Sequence, residues 1–212
     1  MTELDIAELV SARLCHDLIS PVGAVGNGLE LVLSEPVASR SDLEMIDSSA
    51  RAAQATLAFY RLAFGMRGDG SMQVGQAQLN DLVRNYFGKG RLQIELPHQG
   101  EAMPRPVAKL VLLSLLCAAS SAPVGGRMVL DPVRREPLSL RVTVMGRRVA
   151  LPEAGESLLR MEETAEPPAP RMAHFVLLPR LAAALGASLG ISATPAGAHD
   201  GEGTVALRVA AG

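Results

Sequence analysis

Residues 10–32 read VSARLCHDLISPVGAVGNGLELV. Within them Val10, Leu14, Leu18, Val22, Val25, Leu29 and Val32 recur at steps of four, four, four, three, four and three. That spacing keeps these side chains on one side of an α-helix and predicts a helix of about 30 residues. Pro36 cannot continue the helix and stops it. A second run follows in which Leu43, Ile46, Ala50, Ala53, Leu57, Tyr60 and Phe64 alternate steps of three and four. Such alternation is the spacing of a coiled-coil-like seam. Ser41, with Glu44 three residues later, forms a candidate capping box at its start. Two helices joined by a short connection form an antiparallel hairpin. A lone hairpin cannot bury both sides of its helices. The pattern therefore predicts a homodimer in which two hairpins complete a four-helix bundle.

The segment GMRGDGSM, from Gly65 to Met72, has three glycines and no periodicity, and marks the domain boundary. The first domain is thus expected over 1–66 and the second over 72–212. In the second, 78–87 reads as a short helix, 92–96 as a strand and 106–119 as an apolar helix. Residues 127–132 and 138–144 alternate as strands, and 163–171 (ETAEPPAPR) is a proline-rich loop. A helix over 173–185 ends at Gly186, and 204–209 is a closing strand. Helices and antiparallel strands in this order predict an α+β sandwich, one sheet covered on one face.

Composition removes several classes of function. The 212 residues carry a formal net charge of −2, whereas a protein devoted to nucleic acid is usually basic. The two cysteines, Cys15 and Cys117, make no disulfide framework, and no export signal opens the chain, so a cytoplasmic location is expected. No stretch reaches the ~18 unbroken apolar residues of a membrane span. Cys15 and His16 are adjacent on a helix and do not converge on one ion, and no second pair follows, so no metal site is expected. His98, His174 and His199 stand apart without partners at ligand spacing and receive no function.

His16 lies about 200° around the helix from Leu14, which directs it toward water. Asp17 is beside it, and Pro21, five residues on, suggests a bend just past the histidine. An exposed neutral imidazole is a competent nucleophile, and a neighbouring carboxylate can orient the ring or take its proton. Exposed histidines are also common as plain surface residues, and local chemistry leaves both readings open. Ala12, Arg13, Ile19 and Ser20 share the face of His16 and are the candidate partner contacts. Arg13 suits phosphate or an acidic pocket, and a solvated arginine is the equal alternative. Gly23, Gly26 and Gly28, each costing ~1 kcal/mol in a helix, favour close approach within a bundle, with approach by a partner helix as the second reading.

The run from Cys15 to Pro21 (CHDLISP) resembles the phosphoacceptor box of sensor histidine kinases: histidine, acidic residue, apolar residue, two variable positions, proline. The remainder looks like their ATP-binding domain with its chemistry removed. The helix 111–126 is similar to the one carrying two asparagines in kinases, and Ser114 and Ala118 stand in those places. Alanine has no oxygen to hold Mg²⁺. The segment 142–149 resembles the turn whose aspartate reads adenine, yet Val144 stands there and Arg148 replaces a glycine. The segment 173–181 replaces the glycine-rich phosphate loop and contains no glycine. Over nearly its whole length the chain resembles the alphaproteobacterial histidine phosphotransferases of the ChpT type.

The resemblance implies a dimeric hairpin beside a degenerate histidine-kinase ATPase-like α/β sandwich. It implies phosphate carried on His16, with Asp17 as its acidic neighbour and Ser20 at a position that in some kinases serves dephosphorylation. The donor it implies is the receiver domain of a hybrid histidine kinase (CckA-like), and the acceptors are response regulators (CtrA-like and CpdR-like). No cofactor of its own is implied: Mg²⁺ comes with the receiver, and ATP is not used. Two other readings remain at this point, a non-catalytic adaptor that binds response regulators and an active histidine kinase. A chaperone- or gyrase-like ATPase is excluded by the same lost residues.

Overall fold

The computed structural model describes residues 1–34, 39–65, 72–88, 90–163, 166–195 and 201–211. Helix α1 spans Glu3–Ser34 and runs on through Pro21 as one helix. Thr2 opens it with a reciprocal box: the Asp5 amide donates to Thr2 Oγ1 (3.2 Å), and the Thr2 amide donates to the Asp5 carboxylate (2.7 Å). Helix α2 spans Arg40–Ala63. Its cap is Ser39, two residues before the serine expected. Ser39 has extended backbone (φ −75°, ψ 151°), and its Oγ accepts from the Asp42 amide at 3.2 Å. Ser41 already lies inside the first turn, past the capping position.

The two helices pack as the antiparallel hairpin the periodicity predicts, with Gly28 at a point of close approach. A Cβ on Gly28 would lie 2.6 Å from Ile46 Cγ1, whereas one on Gly23 or Gly26 would meet nothing within 4 Å. The expected stripe divides in two. Val10, Leu14, Leu18, Val25 and Val32 are half-buried along the hairpin, but Val22 and Leu29 are exposed. These last two fall in register with Cys15, Ile19, Gly26 and Leu33, at steps of four, three, four, three and four. Helix α1 is therefore apolar on two sides, and one of them is open in the single chain.

The described chain resumes at Met72. In order come β1 (Gln73–Val74), α3 (Gln76–Phe87), β2 (Leu92–Glu95), β3 (Met103–Pro104), α4 (Arg105–Ser120), β4 (Gly126–Leu130), β5 (Arg134–Arg135) and β6 (Leu138–Gly146). They are followed by α5 (Glu153–Leu159), α6 (Ala173–Ala184), β7 (Ala187–Thr194) and β8 (Gly203–Ala211). β1 and β3 pair by themselves, and the main sheet runs β2-β4-β6-β8-β7 with β5 paired to β6. Its pairs are antiparallel except β2–β4, which is parallel, so the sheet is mixed where an antiparallel one was expected. Gly126 (φ +153°) starts β4 so close to β6 that a Cβ would sit 2.2 Å from the Met145 carbonyl oxygen. Gly186 (φ +67°) ends α6 in the left-handed conformation that closes many helices.

One face of the sheet is covered. Leu140, Val142 and Val144 of β6 and Val205, Leu207 and Val209 of β8 are buried, and their alternate neighbours are not. Helices α4 and α6 lie over that face, and Leu110 to Leu113 of α4 are wholly buried. The hairpin joins this domain through aromatic rings. Phe59 and Tyr60 of α2 meet Tyr86 and Phe87 of α3, with Phe59 stacked on Tyr86 at 4.2 Å between centroids, and Phe64 packs edge-on against Tyr60. No helix among the described residues is long and apolar enough to cross a membrane.

Candidate functional site

His16 stands on the outer side of α1 with 74% of its side chain exposed. Its Nδ1 lies 2.8 Å from Oδ1 of Asp17. An ionised carboxylate only accepts hydrogen bonds, so Nδ1 carries the hydrogen and Nε2 is left as the basic ring nitrogen. Asp17 itself turns inward, 18% exposed. Its Oδ2 accepts from the Tyr60 hydroxyl and is ion-paired with Arg13, whose Nε lies 2.6 Å away. The Tyr60 oxygen in turn lies 3.0 Å from the Tyr86 hydroxyl and 3.2 Å from Arg13 Nε. Arg13 also donates through its terminal nitrogen to the Arg171 carbonyl, at 3.1 Å. The set draws on α1, α2, α3 and the turn before α6.

The protonation states follow from these contacts. Partial burial pushes the Asp17 carboxyl up. Hydrogen bonds from Tyr60 and His16 and the charge of Arg13 outweigh that and hold it below its ordinary value. Burial, then the neighbouring Tyr86, raises Tyr60 far above the usual phenol range, so its hydroxyl stays a donor. Asp17 is thus a fixed anion beneath the imidazole, suited to stabilising positive charge on the ring more than to removing its proton.

An open cleft of about 520 Å³ lies beside His16. His16, Ser20 and Thr56 form its hairpin wall, and Phe87, Gly90 and Arg91 its wall on the second domain. A larger cavity of about 870 Å³ lies along the first turns of α1, lined by acidic residues such as Asp5, Glu8 and Glu162 and holding no nucleophile. Among the described residues no group of histidine, cysteine and carboxylate side chains is arranged to hold a metal ion.

Of the expected partner contacts, Ile19 is 73% exposed, and Ala12 and Ser20 are also exposed. Arg13 is placed otherwise: its stem crosses toward α2, and its guanidinium is committed to Asp17, Tyr60 and Arg171, not turned to solvent. A long side chain reaches a neighbour that its position on the helix does not indicate. Cys15 is exposed and Cys117 buried. His199 lies outside the described residues. The sequence marks Tyr60 only as a seam residue and gives Tyr86 no role. The available signal is that a tyrosine at a buried seam position needs a partner for its hydroxyl.

An exposed imidazole over an anchored carboxylate, presented by a helical hairpin, is chemically able to carry a group on its free ring nitrogen. A family model described as "Histidine phosphotransferase C-terminal domain" matches residues 76–197, more than half of the chain. The chain is 34% identical over 178 residues to "Protein phosphotransferase ChpT" of Brucella abortus (strain 2308), covering 83% of each. It also matches a solved structure described as a bacterial phosphotransferase, with TM-score 0.78 and 29% identity, over 98% of this chain and 97% of that one. The chain belongs to the histidine phosphotransferase family.

Proposed function

We propose that this chain is a phosphorelay intermediate that takes phosphate from an aspartyl phosphate onto Nε2 of His16 and gives it to a second aspartate. The observation that carries the reading is the exposed imidazole whose Nδ1 is held at 2.8 Å by an anchored Asp17. The Nε2 lone pair attacks phosphorus, and the bond from phosphorus to the receiver's carboxyl oxygen breaks, returning that carboxylate to the receiver. The ring becomes cationic with its Nδ1 proton retained, and Asp17 stabilises that charge. Reversal toward a new carboxylate needs no proton to be found, because the leaving ring already carries it. The cleft from Ser20 to Arg91 offers the approaching receiver a cation on the far side, suited to its acidic phosphorylation pocket.

The upstream partner in this reading is the receiver domain of a CckA-like hybrid kinase, and the downstream partners are CtrA-like and CpdR-like response regulators. The relay operates in the cytoplasm, with Mg²⁺ brought by the receiver. The chain works as a homodimer: the open stripe of Ile19, Val22, Leu29 and Leu33 on α1 and the exposed Leu43 and Leu57 on α2 are covered by a second hairpin. ATP takes no part. Ala118 and Val144, where the resemblance expects polar nucleotide contacts, are wholly buried core residues. Phe175 at the start of α6 is buried too, and a Cβ on Gly155 of α5 would come within 2.9 Å of its ring.

The test mixes the chain with a radiolabelled, phosphorylated receiver domain and Mg²⁺, beside His16→Ala and an ATP-only control. Acid-labile label on the wild type alone supports the relay. Label from ATP identifies a kinase, and no label from any of several receivers favours an adaptor.

A further inference from the structure

We propose that Tyr60, backed by Tyr86 and Arg13, is a positioning residue for phosphotransfer that fixes the Asp17 carboxylate so that His16 keeps its proton on Nδ1 and offers Nε2. This deepens the relay reading and rests on it. The geometry is directional. Tyr60 has one hydroxyl proton, and it goes to Asp17 Oδ2. The same oxygen must then accept from Tyr86 (3.0 Å) and Arg13 Nε (3.2 Å). The hydrogen-bond chain therefore runs one way, from Tyr86 through Tyr60 and Asp17 to the ring of His16. With Oδ2 taken by the Tyr60 hydroxyl and the Arg13 ion pair, Oδ1 is the oxygen left for Nδ1, and it is the one at 2.8 Å.

Composition points the same way. The chain has two tyrosines, and both point their hydroxyls into this network. It has four phenylalanines and no tryptophan, and three of those phenylalanines (Phe59, Phe64 and Phe87) pack around the two tyrosine rings. Five of the six aromatic rings thus form one rigid cluster behind Asp17. Tyr86 and the Arg171 carbonyl belong to the second domain. That domain, stripped of nucleotide chemistry, braces the phosphoacceptor. A carboxylate free to swing would also let the ring adopt the Nε2–H tautomer, in which the outer nitrogen has no lone pair to attack phosphorus.

The experiment compares the full chain with Tyr60→Phe and Tyr86→Phe. Long-range ¹H–¹⁵N NMR reads the tautomer of His16 directly and needs no receiver. Single-turnover transfer from a phosphorylated receiver, measured across receiver concentration, separates rate from affinity. Wild type is expected in the Nδ1–H form. Tyr60→Phe is expected to raise the Nε2–H population and to slow transfer about tenfold at saturation, with the half-saturating receiver concentration unchanged. Tyr86→Phe, which leaves the Tyr60–Asp17 bond in place, is expected to show the same changes at about threefold, and it carries the test if Tyr60→Phe does not fold. A wild-type tautomer with a rate within twofold overturns the proposal, and so does a loss confined to receiver affinity. If wild type takes no phosphate from any receiver, the relay reading fails, and an unmoved tautomer in both variants still overturns the positioning role separately.

Discussion

His174 is a buried titratable group that the phosphotransfer chemistry does not use, and it sets a pH limit on the fold. It lies in α6 with its Nε2 2.9 Å from the Ser120 hydroxyl. That hydroxyl donates to the Leu116 carbonyl at 2.9 Å, so Nε2–H is the donor to Ser120. Nδ1 is buried with no partner among the described residues. Burial first, and then the positive charge of Arg13, push the ring down from 6.5 to about 3. The folded value lies below the unfolded one, so the unfolded chain binds more protons between them and stability falls as pH drops through that window. At pH 5 the native ring is still neutral, and the unfolded value near 6.5 alone fixes the size of the effect. The loss relative to pH 8 is about 2 kcal/mol. His174→Leu removes it. Urea unfolding of both proteins at equal concentration, at pH 8 and pH 5, isolates this contribution, because every other titration is common to the two. The variant should be near wild-type stability at pH 8, since it also removes an unpaired buried nitrogen, and about 2 kcal/mol less pH-sensitive. Identical pH dependence in the two proteins refutes the reasoning.

Gly23→Ala should stabilise the chain by about 1 kcal/mol, because a helix-interior glycine is replaced where a Cβ meets nothing; Gly28→Ala should lack that gain, because its Cβ strikes Ile46; thermal unfolding distinguishes them. Leu29→Glu, in the open stripe of α1, should convert a dimer into monomer in light scattering while circular dichroism keeps the helical signal. Asp17→Asn should slow transfer at least tenfold. The amide can present its NH₂ group to Nδ1 and turn the ring to the opposite tautomer, which ¹⁵N chemical shifts of His16 report.

The two long helices were legible because a 3.6-residue period over more than twenty positions has no competing explanation. What periodicity did not resolve was that α1 serves two neighbours, which put Val22 and Leu29 outside the hairpin interior. Elements without a strong period escaped: α5 is only seven residues and contains Gly155, and β7 (ASLGISAT) alternates small residues of similar polarity. The parallel pairing of β2 with β4 is a matter of topology, and a four-residue strand carries no mark of its neighbour's direction. In the site, His16 and Asp17 could be read because they are adjacent. Tyr60 lies 43 positions from Asp17 in the chain and Tyr86 lies 26 from Tyr60, so only folding reveals that they meet. Arg13 shares the helical face of the nucleophile, yet its length lets an internal carboxylate capture it.

The most direct test of a relay through His16 is to locate the phosphate itself. Chain labelled with ¹⁵N-histidine would be incubated with a receiver domain charged by a small-molecule phosphodonor, without ATP, and its ³¹P–¹⁵N couplings recorded at alkaline pH, where phosphohistidine persists. The predicted result is a single phosphorus coupled to Nε2 of His16 and lost in His16→Ala. Phosphate on Nδ1, on another histidine or on no residue of the chain would contradict it.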